Sequence, residues 1–166
     1  MAMSLSTAVT YRILRKLGGV DVKPGKTIHA VAIMELVFAF GIVAFWAAFF
    51  STDMVDIDDS RLKEVYLAFE SAFPVPDIYL SIVLTIGGLG LLKRKYSGVL
   101  FSLMGGGSLI FLGLLDISFN ARQGIYFLGV GEAVLSASIN VLCVAFGFYL
   151  VRSIWKNRGR LKFIPA

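Results

Sequence analysis

The chain has 166 residues, of which 57% are hydrophobic, and a formal net charge of +5. A soluble domain is nearer half apolar and lacks apolar runs long enough to cross a bilayer, so the length allows one membrane-embedded domain. The positive charge does not indicate nucleic acid. Basic residues gather at the ends of apolar runs, and no aromatics interleave with them as a base-stacking platform requires.

Residues 1–27 read as a basic amphipathic arm and linker. Within it, Ser4–Leu17 carries Val9, Ile13, Leu14 and Leu17 on one side and Arg12, Arg15 and Lys16 on another. That pattern predicts a short helix on the cytoplasmic membrane surface, stopped by Gly18-Gly19. Pro24-Gly25 marks the turn-rich linker that follows.

Residues 28–151 hold four apolar runs, His29–Phe50, Asp77–Leu92, Gly98–Ile117 and Tyr126–Val151. With a rise of about 1.5 Å per residue and a hydrocarbon core of about 30 Å, they predict an all-α integral membrane protein, a four-transmembrane-helix bundle. Thirteen of the sixteen Lys and Arg residues fall in three places. These are the arm (Arg12, Arg15, Lys16, Lys23, Lys26), the turn Lys93-Arg94-Lys95, and the tail 152–166 (Arg152, Lys156, Arg158, Arg160, Lys162). By the positive-inside rule both termini are cytoplasmic, N-in and C-in, in a plasma membrane whose inner-leaflet anionic lipids meet these charges. The loops Ser51–Pro76 and Ser118–Ile125 are then outside. Tyr and Trp residues near both ends of the runs read as interfacial belts.

The first run contains His29 and Glu35. The histidine is at the inner membrane edge and has no second imidazole with which to share a metal. A carboxylate inside a span is costly and by default functional. Glu35 is therefore a candidate ligand or proton site, or else a structural partner of Ser102, Lys93 or Lys95.

The loop 51–76 opens with Asp53, Asp56, Asp58 and Asp59. It is no EF-hand, because Arg61 stands where glycine is required and Leu67 where the closing glutamate belongs. Ser60 or Asp59 caps a helix through about Ala72, with Leu62, Val65, Tyr66, Phe69 and Phe73 on one side and Lys63, Glu64 and Glu70 elsewhere. This short amphipathic helix would roof the outer end of the bundle. Phe73-Pro74-Val75-Pro76 is expected to end it, with Asp77 as N-cap of the second span.

Small and polar residues form stripes at helical spacing: Asp77, Ser81, Thr85 and Gly88 on the second span, and Ser102, Gly106, Leu109, Gly113 and Asp116 on the third. Such stripes let helices pack closely in lipid. The glycine runs are not phosphate loops, since no strand precedes them and no Lys-Ser/Thr follows in frame. Within the fourth run, the stretch Gly131–Gly147 aligns Glu132, Ser136, Asn140, Cys143 and Gly147 on one face. Asp77, Asp116 and Glu132 are expected to converge in the outer half, with Arg122, Asn120 and Tyr126 as partners. Three carboxylates so placed would repel one another unless protons or a cation intervened.

No catalytic motif or cofactor signature is present, and whether the protein is an enzyme stays open. One Cys and one His exclude a thiol redox pair and a conventional transition-metal shell. Three functions fit these residues. The first is a non-catalytic accessory or scaffold subunit with a membrane-protein partner or as a homo-oligomer. The second is a binding protein or enzyme for a small lipid-soluble or cationic ligand in a pocket of Asp77, Asp116 and Glu132. The third is proton or small-ion translocation along the Glu132–Asn140 seam. The bland features (small size, glycine-rich faces, short loops) place the accessory role first.

Overall fold

The structure, a computed structural model, describes residues 25–52, 55, 57–128 and 130–157. The proposed N-terminal amphipathic helix, and the tail beyond Asn157, lie outside these residues. The described chain is all-helical: α1 (Lys26–Ser51), α2 (Ser60–Glu70), α3 (Pro74–Leu92), α4 (Tyr96–Gln123), a single 3-10 turn at Ile125–Phe127, and α5 (Val130–Asn157). Four helices, α1, α3 with the α2 segment leading into it, α4 and α5, are long and apolar enough to cross a membrane. In chain order α1 packs on α3, α3 on α4 and α4 on α5, whereas α1 and α5 touch only sparsely.

Three helix limits differ from the sequence expectation, each for a local reason. α3 begins at Pro74, with Phe73 as N-cap. Prolines are at home in a first helical turn, where their missing N–H would have no partner anyway. Asp77 is consequently not an N-cap; its own N–H donates to the Phe73 carbonyl. α4 runs past Ile117 to Gln123, because nothing breaks it until Gly124 adopts φ 71°, the left-handed conformation that caps many helices. The segment 118–125 is therefore mostly helix rather than loop. α5 starts at Val130 instead of Tyr126, and continues four residues at a time through Arg152 and Lys156 to Asn157.

At the N-terminus of α2, Asp59 Oδ1 accepts from Leu62 N at 2.9 Å, a side-chain cap of the ordinary kind. The helix is anchored to α4 by Phe69, whose ring stacks on Phe119 with centroids 3.7 Å apart. This contact fixes which way Tyr66 and Glu70 face.

Because every spanning helix is apolar nearly all round, small residues decide the rotations. A Cβ on Gly88 would lie 2.7 Å from the Ala32 carbonyl of α1, and one on Gly90 would lie 2.5 Å from the Gly98 backbone of α4. Between α4 and α5, Gly147 faces the Gly106 carbonyl, 2.8 Å from where its Cβ would stand. The glycine stripes are thus spent largely on contacts within the chain. Ser81, in the same stripe as Asp77, donates its hydroxyl to the Ala39 carbonyl of α1 at 3.0 Å.

The core runs along Val31, Leu84, Leu109 and Leu150, all fully buried. Toward the Lys93–Lys95 end of the bundle, α5 contributes Phe146, Leu150 and Ile154 to it. Phe146 stacks on Phe38 of α1 at 4.9 Å, joining the first and last helices at mid-length.

Candidate functional site

Above that stacked pair, on the α2 side, the bundle opens into a cavity of about 440 Å³. Its acidic side chains come from three elements: Glu70 from α2, Asp77 from α3 and Asp116 from α4. Each is partly buried, and they lie close enough for the charge of Asp116 to act on Glu70 and that of Asp77 to act on both. Among the described residues lining the cavity there is no Lys, Arg or His.

Each carboxylate has one neighbour that orients it. The Asp77 Oδ2 accepts from Trp46 Nε1 at 2.8 Å, linking α3 to α1 across 31 residues of sequence. The Tyr66 hydroxyl donates to Glu70, one turn on along α2. The Asn140 amide stands beside Asp116 and donates to the Tyr126 hydroxyl at 2.8 Å. Asn140 is 2% exposed, and its Oδ1 accepts from nothing. An orphan acceptor in an apolar helix is costly.

Aromatic rings complete the wall: Phe45, Trp46 and Phe49 from α1, Tyr66 from α2, and Phe73 at the start of α3. Faces of such rings attract ammonium groups. No three His, Cys, Asp or Glu among the described residues converge tightly enough to hold a metal ion. Trp46→Phe, which deletes the donor to Asp77, is expected to lower stability by about 1 kcal/mol. Thermal unfolding in lipid nanodiscs reads that loss, and unchanged unfolding would mean that the bond carries no net weight.

The residues singled out from the sequence separate clearly. Asp77, Asp116, Ser136, Asn140 and Cys143 line this one cavity. The backbone of Glu132 lies in the first turn of α5, and its side chain is outside the described residues. Arg122 is exposed near the end of α4 and does not line the cavity. Six residues beyond Asp116, it is turned about 240° around the helix and cannot act as its pocket counter-ion. Asn120 is buried, with Oδ1 unpartnered, but likewise lies outside the cavity wall.

Glu35 is not part of this site. It is completely buried among α1, α3 and α4, and its Oε1 lies 2.8 Å from the place a Gly87 Cβ would take. Ser102 Oγ lies 3.0 Å from that same place, so the two polar groups share the space glycine leaves. Lys93 and Lys95 are exposed in the α3–α4 turn.

Glu70 is the acid that sequence reasoning passed over, assigning it to the polar side of a surface helix. The available signal was its position one turn after Tyr66 and four residues before Pro74. The aromatic wall from α1 carried no signal, since Phe45 and Phe49 read simply as span residues.

No curated protein and no solved structure matches the chain. A family profile does match, over residues 26–163, which takes in every helix described above. The chain accordingly belongs to the family described as domain of unknown function DUF8058.

Proposed function

We propose that this is a membrane-embedded binding protein for a small organic cation, held in the cavity between α1, α2, α3, α4 and α5. One observation carries the reading: three carboxylates from separate elements face one aromatic-walled cavity whose described lining contains no basic residue. Uncompensated acids at close range repel, and an ammonium group among them relieves that repulsion while the rings add cation–π attraction.

Basic residues cluster at the arm, the α3–α4 turn and the tail, and this distribution supports an orientation with the cavity on the outer side of the membrane. The accessory-subunit reading drew on glycine faces, and those at Gly88, Gly90, Gly98, Gly106 and Gly147 meet helices of the same chain. The translocation reading needs the α5 seam to continue, whereas Phe146, Leu150 and Ile154 fill the core below the cavity. Both features favour a closed-ended site.

The test compares phenethylammonium with its neutral counterpart, phenethyl alcohol, as ligands of the purified protein in nanodiscs. The ammonium raises the unfolding temperature and the alcohol does not. Asp116→Asn weakens ammonium binding about tenfold, the loss of one charged hydrogen-bonding partner. Equal shifts with the alcohol, or undiminished binding by Asp116→Asn, would rule the cation site out.

A further inference from the structure

The cavity has a side opening, and its depth identifies where a ligand comes from. Val37 and Gly41 on α1 and Leu135 and Leu142 on α5 all line the cavity. Yet Val37 is 65% exposed, Leu142 58% and Leu135 50%, and a Cβ on Gly41 would meet nothing within 4 Å. Residues that face both a cavity and the surroundings form the lips of an opening. It lies between α1 and α5, which touch far less than the helices packed in chain order do.

Gly41 is fifteen residues from the start of α1 and ten from its end. At about 1.5 Å per residue this puts it roughly 22 Å and 15 Å from the two ends. In a helix of membrane-spanning length, that depth is hydrocarbon, not water. Trp46, which binds Asp77, is five residues nearer the α2 end, about 8 Å higher along the helix. The polar groups therefore sit toward the interface while the opening and its apolar lips sit toward the bilayer middle. An amphiphile lying in the leaflet has the same order of groups along the same axis.

We infer that the site is loaded sideways from the lipid, between α1 and α5, by a single-chain alkylammonium. Its head lies among Glu70, Asp77 and Asp116, and its chain leaves past Gly41 and Leu142. This inference rests on the cation-site reading above and adds the chemistry of the ligand and its route.

The experiment uses the full chain in liposomes with Trp155→Phe, so that Trp46 on the cavity wall is the single tryptophan. The probe is 10-bromodecylammonium, whose bromine quenches nearby indole, followed by stopped-flow fluorescence. Saturable quenching reports the site, and a linear component reports probe dissolved in the bilayer. Gly41→Phe and, from the opposite lip, Leu142→Phe are each expected to slow association at least tenfold. Ile82→Phe, on the exposed side of α3 and outside the cavity lining, leaves the rate unchanged.

Saturable quenching that disappears in Asp116→Asn, but whose rate ignores both lip substitutions or falls equally in Ile82→Phe, would overturn sideways loading and leave the cation site standing. Quenching that never saturates in the parent protein would overturn the cation site together with this inference. Gly41→Phe projects into open space, and an unchanged unfolding temperature separates a blocked opening from a misfolded bundle.

Discussion

Gly90→Leu is expected to destabilise the protein by about 3 kcal/mol, the upper end of the usual cost of overpacking. The clash is with backbone: a Cβ at this position would stand 2.5 Å from both Cα and N of Gly98. Side chains can rotate away from an intruder, but these atoms belong to the opposite strand of a tight helical hairpin. There the Lys95 N–H donates to the Gly90 carbonyl at 2.8 Å, and Arg94 is already in the left-handed region at φ 53°. α3 and α4 would have to part at that end, loosening the contacts of Gly87 with Ser102 and of Gly105 with Leu84. Gly107→Leu is the matched control. It lies on the same helix as Gly98 but a Cβ there meets nothing within 4 Å, so it should change stability by no more than about 0.5 kcal/mol. Reversible unfolding in mixed micelles checks both, and similar values for the two would show that glycine packing does not set the helix spacing.

Glu35→Leu is expected to act in the opposite direction and stabilise the bundle by about 2 kcal/mol. The carboxyl group is fully buried beside the Ser102 hydroxyl, and the pair closes no well-formed hydrogen bond. A buried polar group without a partner costs free energy that an apolar side chain of similar size does not. Val31, Ala32 and Leu84, fully buried in the same core, offer the replacement leucine an apolar setting. Adding Ser102→Ala should increase the gain, because it removes the second orphan group. The same unfolding measurement decides the matter: a loss of stability in Glu35→Leu would mean that the carboxyl is bonded in the membrane. A gain would mark Glu35 as a residue that costs stability where it stands, as groups retained for function commonly do.

How much of this was legible in advance follows from which interactions are local. The existence of four spanning helices, the α2 helix with its Asp59 cap, and the nearness of Asp77 and Asp116 to the same end depend on run length and on position along one helix. These are properties of short stretches, and the sequence determines them by itself. Helix ends were less secure where two rules competed, as at Pro74 and Pro76, which open a helix as readily as they close the one before.

Only the tertiary structure decided which faces meet. In helices apolar nearly all round, hydrophobic patterning does not specify rotation, because lipid and core accept the same side chains. Rotation is chosen by close approaches such as Gly88 against Ala32 and Gly106 against Gly147, whose partners lie on other helices. Those approaches separate Glu35 from the acids at the α2 end and turn Asp77 and Asp116 inward. Stacking of Phe69 on Phe119 brings Glu70 to join them, and the sparse α1–α5 contact leaves the side of the cavity open. Composition determined that four helices are long and apolar enough to cross a bilayer; the sites where backbone meets backbone determined what the acids surround.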